Sequence, residues 1–282
     1  MIHKINFFLT KVFNLLLKPF NNLNDFWPVL FLSIVLSFII LFILKYISFP
    51  KKIVESKDKI KASIFAIRIY KDFWKVILSS FFKSLFYTFK YFVFNLAPFL
   101  IIIPLLLPVF SQMEMRYGIR PYKVGEEIIL KAKFSNSIKD ANINLEKSEN
   151  FKPKMNPVFI DAFLDEDKTR PLREINWKLE ALKEGISRID IVVNDKKYSK
   201  RLVTGDFKEP LSGRKYDRSS INHFFYPSET LLGANDMLRS VTIDYPGKLV
   251  NFLGLKMHWI IWNIIIVIVL IMGFRKRFGV EF

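Results

Sequence analysis

The sequence predicts a membrane protein with three transmembrane α-helices, a cytoplasmic helical hairpin and an extracytoplasmic all-β domain of the immunoglobulin-like sandwich type. Three observations lead there. Mean hydropathy is +0.22 although 24% of the 282 residues are charged, so apolar and polar residues are segregated along the chain. Three runs without a charge are long enough to cross a bilayer core. Between the second and third of them, apolar residues switch from helical spacing to alternation.

The first run, Trp27 to Leu44, reads WPVLFLSIVLSFIILFIL and is followed by Lys45 and Tyr46 as interfacial anchors, which sets a first span at 27–48. The second, 91–112, is YFVFNLAPFLIIIPLLLPVFSQ. Its Pro98, Pro104 and Pro108 each remove a backbone donor, so a bent span packed against protein is expected. The third, 258–274, is HWIIWNIIIVIVLIMGF, with Trp259 and Trp262 at one end and Arg275, Lys276 and Arg277 beyond the other. At about 1.5 Å per residue it barely crosses a core of roughly 30 Å, so it stands nearly upright.

The net charge of +17 lies mostly beside these runs: +2 over 1–27, +8 over 45–90, +5 over 113–257 and +2 after residue 274. Basic residues placed this way hold topology, and no nucleic acid is expected as a partner. The 45–90 segment carries 11 basic and 3 acidic residues. It and the 275–282 tail belong in the cytoplasm. Three spans then put the amino terminus and a 113–257 β-domain outside, in a bacterial inner membrane, with the bilayer and protein partners or client membrane proteins as the expected contacts.

Within residues 1–26, Lys4, Lys11 and Lys18 recur every seven positions with Asn14 near them, opposite Phe8, Leu9, Val12, Leu16 and Phe20. This describes an amphipathic helix lying in the interface and ending near Pro19. The alternative is one long signal anchor over 1–44. Residues 49–90 read as two antiparallel helices. Ser56 is placed as N-cap, Ile60, Ile64 and Ile67 form a stripe, Tyr70 to Asp72 break the chain, and Asp72 caps a second helix with Val76, Ile77, Phe81, Leu85 and Phe89 on its apolar face. Lys57, Lys59, Lys61, Arg68, Lys71 and Lys75 are the candidate cytoplasmic contact. The plainer reading is a connector whose basic residues only hold topology.

After the second span, 127–134, 141–146, 158–164, 173–182, 186–193 and 197–203 are expected strands, with turns at Lys183-Glu184-Gly185 and Asn194-Asp195. Ile175, Trp177, Leu179 and Ala181 alternate with polar residues, so one face is buried and Trp177 is a core residue rather than a ligand platform. Residues 204–240 read as a long loop with one or two short helices, and 240–252 as a final strand leading through Gly254 into the third span. The acidic run Asp165, Glu166, Asp167 lacks the spaced ligands and turn glycine of a calcium loop. With no cysteine, disulfides, thiol catalysis and Cys-ligated metals are excluded. His3, His223 and His258 are far apart, and no G-x-S-x-G, S-x-x-K, P-loop or H-E-x-x-H sequence occurs, so neither an enzyme nor a cofactor or metal is expected.

The order of parts in KIKASIFAIRIYKDFWKVILSSFFKSLFYTFKYFVFNLAPFLIIIPLLLPVFSQMEMRYGIRPYKVGE (59–125), behind one span and an outside amino terminus, resembles the Oxa/YidC superfamily of membrane insertases. The similarity covers 28–112 and is nearest to the short branch that holds the endoplasmic-reticulum membrane complex subunit and archaeal relatives. It implies a hydrophilic groove open to the cytoplasm, with the hairpin receiving the client. Bacterial members place an arginine in that groove. Here the corresponding candidates are Ser33, Ser37, Asn95 and Asn263, and the domain between the second and third spans is a further departure.

Overall fold

The computed structural model describes residues 2–138, 141–163, 171–216, 229, 232, 233 and 236–280. The chain forms two compact units, Met1–Pro28 with Pro108–Ile260, and Val29–Leu107 with Ile261–Phe282. In order, the elements are α1 (Ile2–Leu17), a 3-10 turn (Lys18–Phe20), α2 (Phe26–Ile47), α3 (Pro50–Ile69), α4 (Trp74–Met113), a π turn (Glu114–Gly118), strands β1 to β11, and α5 (Trp259–Phe278). Among the described residues, three helices are long and apolar enough to cross a membrane: Phe26–Ile47, Trp74–Gly118 and Trp259–Phe278. α4 runs unbroken through Pro98, Pro104 and Pro108, so the second hairpin helix and the second apolar run are one element.

In the helical unit, α2 and α5 run parallel. Ser33 meets Asn263, and five residues on, the Phe38 ring lies 5.5 Å from that of Phe274 and 6.2 Å from that of Phe278. α3 and α4 are antiparallel, since the ammonium groups of Lys52, Lys57 and Lys59 lie 5.2, 5.5 and 5.9 Å from the rings of Phe94, Tyr91 and Tyr87 in that falling order. Proline at its first position starts α3 six residues before Ser56, which is therefore no N-cap; its Oγ donates to Lys52 O at 2.7 Å inside the helix. The packed stripe of α3 is Ile53, Ser56 and Ser63, with Ile60 and Ile67 half-buried, while Ile64 is 54% exposed. On α4, Ser80 is buried, and the expected apolar face of Phe81, Leu85 and Phe89 points away from α3. Ser63 Oγ, like that of Ser56, donates within its own helix, to Lys59 O at 2.8 Å, and the described contacts between α3 and α4 are made by the long lysines and the rings opposite them.

In the other unit, α1 packs through Phe13 and Leu17, whereas Phe8 and Leu16 are exposed. The buried stripe is thus turned from the one the lysine spacing predicts, because polar Thr10 also faces protein and bonds Gln112 at 3.0 Å. The strands are β1 (Glu127–Phe134), β2 (Ile143–Leu145), β3 (Phe151–Pro153), β4 (Val158–Phe163), β5 (Pro171–Ala181), β6 (Gly185–Val193), β7 (Lys196–Thr204), β8 (Arg214–Tyr216), β9 (Leu238–Ile243), β10 (Val250–Phe252) and β11 (Leu255–Met257). One antiparallel sheet has the order β3-β5-β1-β9-β8, with β4 also on β5. A second has the order β2-β6-β7.

β1 alternates exposed and buried over its whole length, and its Leu130 sits opposite Trp177 of β5. A single core draws Ile128, Leu130, Ile175 and Trp177 from the first sheet and Ile189, Ile191, Leu202 and Val203 from the second. Asn194 and Asp195, with φ of 45° and 67°, turn β6 tightly into β7. The expected strand 240–252 is broken at Asp244-Tyr245-Pro246-Gly247, where proline cannot donate to a ladder. Its remainder forms the β10–β11 hairpin, turned by Leu253 and Gly254 at φ of 50° and 86°. The acidic run Asp165, Glu166, Asp167, His223 and residues 217–228, 230, 231, 234 and 235 of the expected 204–240 loop lie outside the described residues, and the described part of that loop holds β8 and the start of β9.

Candidate functional site

The four polar residues expected to line a groove fall into two environments. Ser33, Ser37 and Asn263 are buried. Ser33 Oγ donates to Val29 O at 2.7 Å and accepts from Asn263 Nδ2 at 2.7 Å, and Ser37 Oγ donates to Ser33 O at 2.6 Å. An amide bonded to a hydroxyl between parallel apolar helices fixes their register, a contact worth about 1 kcal/mol where hydrocarbon surrounds it. Asn95 is half-buried and gives its Nδ2 to Tyr91 O at 2.8 Å, within its own helix. The structure therefore joins Ser33 to Asn263, sets Ser37 one turn along, and binds Asn95 locally.

The six basic residues share the hairpin. Lys57 and Lys59 point across to Tyr91 and Tyr87 of α4. Lys61, Arg68, Lys71 and Lys75 are exposed, Lys71 in the turn between the helices and Lys75 against the Trp74 ring at 5.9 Å. Beside them α4 exposes Trp74, Phe81, Phe82, Leu85, Phe86 and Phe89. The hairpin thus carries positive charge next to uncovered aromatic surface.

Sequence reasoning missed a cavity of about 360 Å³ in the β-bearing unit. Its walls come from the second half of α1, the chain entering α2, the π turn, β7 and the β7–β8 connection, and the β9–β10 connection, which is why no local motif announces it. Four cations line it against two carboxylates. Lys248 pairs with Asp25 at 2.7 Å, and Arg201 pairs with Glu209. Arg116 is half-buried and bonds only neutral groups among the described residues, namely Gln112 O at 3.0 Å, Gln112 Oε1 at 2.6 Å and Asn14 Oδ1 at 2.6 Å. Lys208 Nζ donates to Asn21 O at 2.7 Å and Leu23 O at 2.9 Å.

A separate basic cluster surrounds Glu229. Lys200 is fully buried and gives its Nζ to Ser212 O at 2.5 Å and to the Glu229 carboxylate. Burial pushes the Lys200 ammonium below the usual lysine range while Glu229 opposes the shift, and burial likewise lowers Lys215. Among the described residues no group of three or more His, Asp or Glu is placed to hold a metal. Comparison with protein-family models, curated proteins and solved structures finds no match.

Proposed function

We propose that this chain is a multi-pass protein of a bacterial inner membrane, with an amino terminus outside and a carboxyl terminus inside, whose insertase-like core helps membrane or envelope proteins insert or assemble without catalysis. The observation that carries this reading is the outer face of the hairpin. Trp74, Phe81, Phe82, Leu85, Phe86 and Phe89 are exposed on a helix that continues without interruption into an apolar run. An uncovered apolar patch of this kind is unfavourable in water and is covered by lipid or by another protein segment. Continuous with a span, it offers an emerging apolar segment a path from the cytoplasm into the bilayer, with Lys75 and Lys83 beside that path drawn to the anionic membrane surface. The Oxa/YidC resemblance supports the same reading.

The second reading makes the chain an accessory or anchoring subunit whose spans hold an immunoglobulin-like sandwich outside, where it binds a partner. It is favoured by the Asn263 to Ser33 bond, which uses the polar groups of α2 and α5 to pack helices instead of lining a wet groove. A photo-crosslinking amino acid at Phe86 separates the two. With a ribosome-bound chain bearing one apolar segment, the insertase reading expects an adduct that disappears when the segment is made polar. The anchor reading expects adducts with lipid alone.

A further inference from the structure

We propose that the cavity between α1 and the β7–β8 connection binds the phosphate of an anionic phospholipid headgroup. Charge comes first. The two carboxylates of the lining are already taken by Lys248 and Arg201, so Arg116 and Lys208 bring two positive charges that no described carboxylate balances. A half-buried guanidinium without a counter-ion is costly, and an entering anion removes that cost.

Donor counting agrees. Arg116 makes three hydrogen bonds from five N–H groups, and Lys208 makes two from three. At least two donors on the guanidinium and one on the ammonium stay available, in the fork-plus-point arrangement that suits phosphate oxygens. Thr10, Asn14 and Asn21 supply neutral polar walls.

Position selects the lipid among phosphate sources. Pro28, in the first turn of α2, lines the cavity, and Arg116 stands one turn beyond Gln112, where the apolar run of α4 ends. Leu17 and Phe20 complete the wall, while the neighbouring Leu15 and Leu16 of α1 are exposed. Headgroups occupy the level at which spanning helices give way to polar chain, the level that Pro28 and the end of the α4 apolar run mark here. This choice of source rests on the reading of α2 and α4 as spans; the cation arrangement does not.

The test is native mass spectrometry of the full-length protein in neutral detergent, titrated with phosphatidylglycerol, with phosphatidylcholine of the same acyl chains, and with inorganic phosphate. One tightly held phosphatidylglycerol is expected, with about tenfold weaker binding of phosphatidylcholine and of phosphate. Arg116→Gln and Lys208→Gln are each expected to weaken phosphatidylglycerol about tenfold, the loss of one charge-assisted contact. Lys208 is exposed, so Lys208→Gln keeps the test valid if Arg116→Gln fails to fold. Equal retention of the two lipids, or unchanged binding by a folded Lys208→Gln, overturns the site. Phosphate binding as tightly as phosphatidylglycerol overturns the lipid as its source. Because the protein is in detergent, these outcomes do not depend on which way the chain crosses a membrane.

Discussion

Replacing Glu229 by glutamine is expected to cost the β-bearing unit about 3–5 kcal/mol of stability, because it leaves a buried ammonium without its counter-charge. Lys200 is fully buried in β7, with Ser212 O and Glu229 as its described partners, and nearby Lys215 is also buried, giving its Nζ to Ser199 O at 2.7 Å. Glu229 opposes both positive charges. Without it, the folded-state pKa of Lys200 falls further below the roughly 10.4 of an unfolded lysine. A lysine whose pKa is depressed by folding destabilises most at pH values below the depressed value, and the cost shrinks as pH rises toward the unfolded one. The deficit of Glu229→Gln is therefore largest near neutrality and narrows in alkali. Replacing the pair together, Lys200→Met with Glu229→Met, is expected to recover most of it, since an apolar pair of similar volume has no charge to desolvate. Urea unfolding of the full chain in detergent, followed by near-ultraviolet circular dichroism, measures each difference. A Glu229→Gln loss under about 1 kcal/mol would show that solvent reaches Lys200.

Trp177→Ala is expected to cost about 3–5 kcal/mol, by loss of a large aromatic and the cavity it leaves. Trp177 is 4% exposed on β5, the strand that pairs with β1, β3 and β4, and it belongs to the core that both sheets share. Removing the indole takes contacts from both sheets at once, and β5, held on both edges, has little freedom to collapse into the gap. Trp177→Phe, which keeps most of the apolar volume, is expected to lose less than half as much. The same urea unfolding measures both variants. A Trp177→Ala loss within about 1 kcal/mol of zero contradicts a common core.

Where one physical signal dominates, the sequence predicts the structure well. The strict alternation of Glu127 to Phe134 becomes β1 with every second side chain buried, and Asn194-Asp195 makes the turn that such residues favour. The uncharged runs become α2, α5 and the distal half of α4. Apolar spacing misleads where the helix pair is joined by long cationic and aromatic side chains. Ile64 and Phe81 fit an amphipathic stripe yet stay exposed, while Ser56, Ser63 and Ser80 are buried and the described contacts between α3 and α4 run through Lys52, Lys57 and Lys59 to the rings of Phe94, Tyr91 and Tyr87. The β10–β11 hairpin is hidden inside an apparent strand whose Pro246-Gly247 step marks the break. The cationic cavity is illegible because Asn14, Arg116, Lys208 and Lys248 come from four separate stretches, and their convergence depends on tertiary structure alone.

The measurement that bears most directly on the central claim, a membrane protein whose apolar helices separate a basic hairpin from a β-rich region, is a pair of sided reporter fusions in the full chain. One is inserted after Ser79 in α4, the other at the Asn194-Asp195 turn. The account predicts activity of the first only in the cytoplasm and of the second only outside, as 11 basic residues over 45–90 and the Arg275-Lys276-Arg277 tail require. Both reporters active on the same side of the membrane would contradict it.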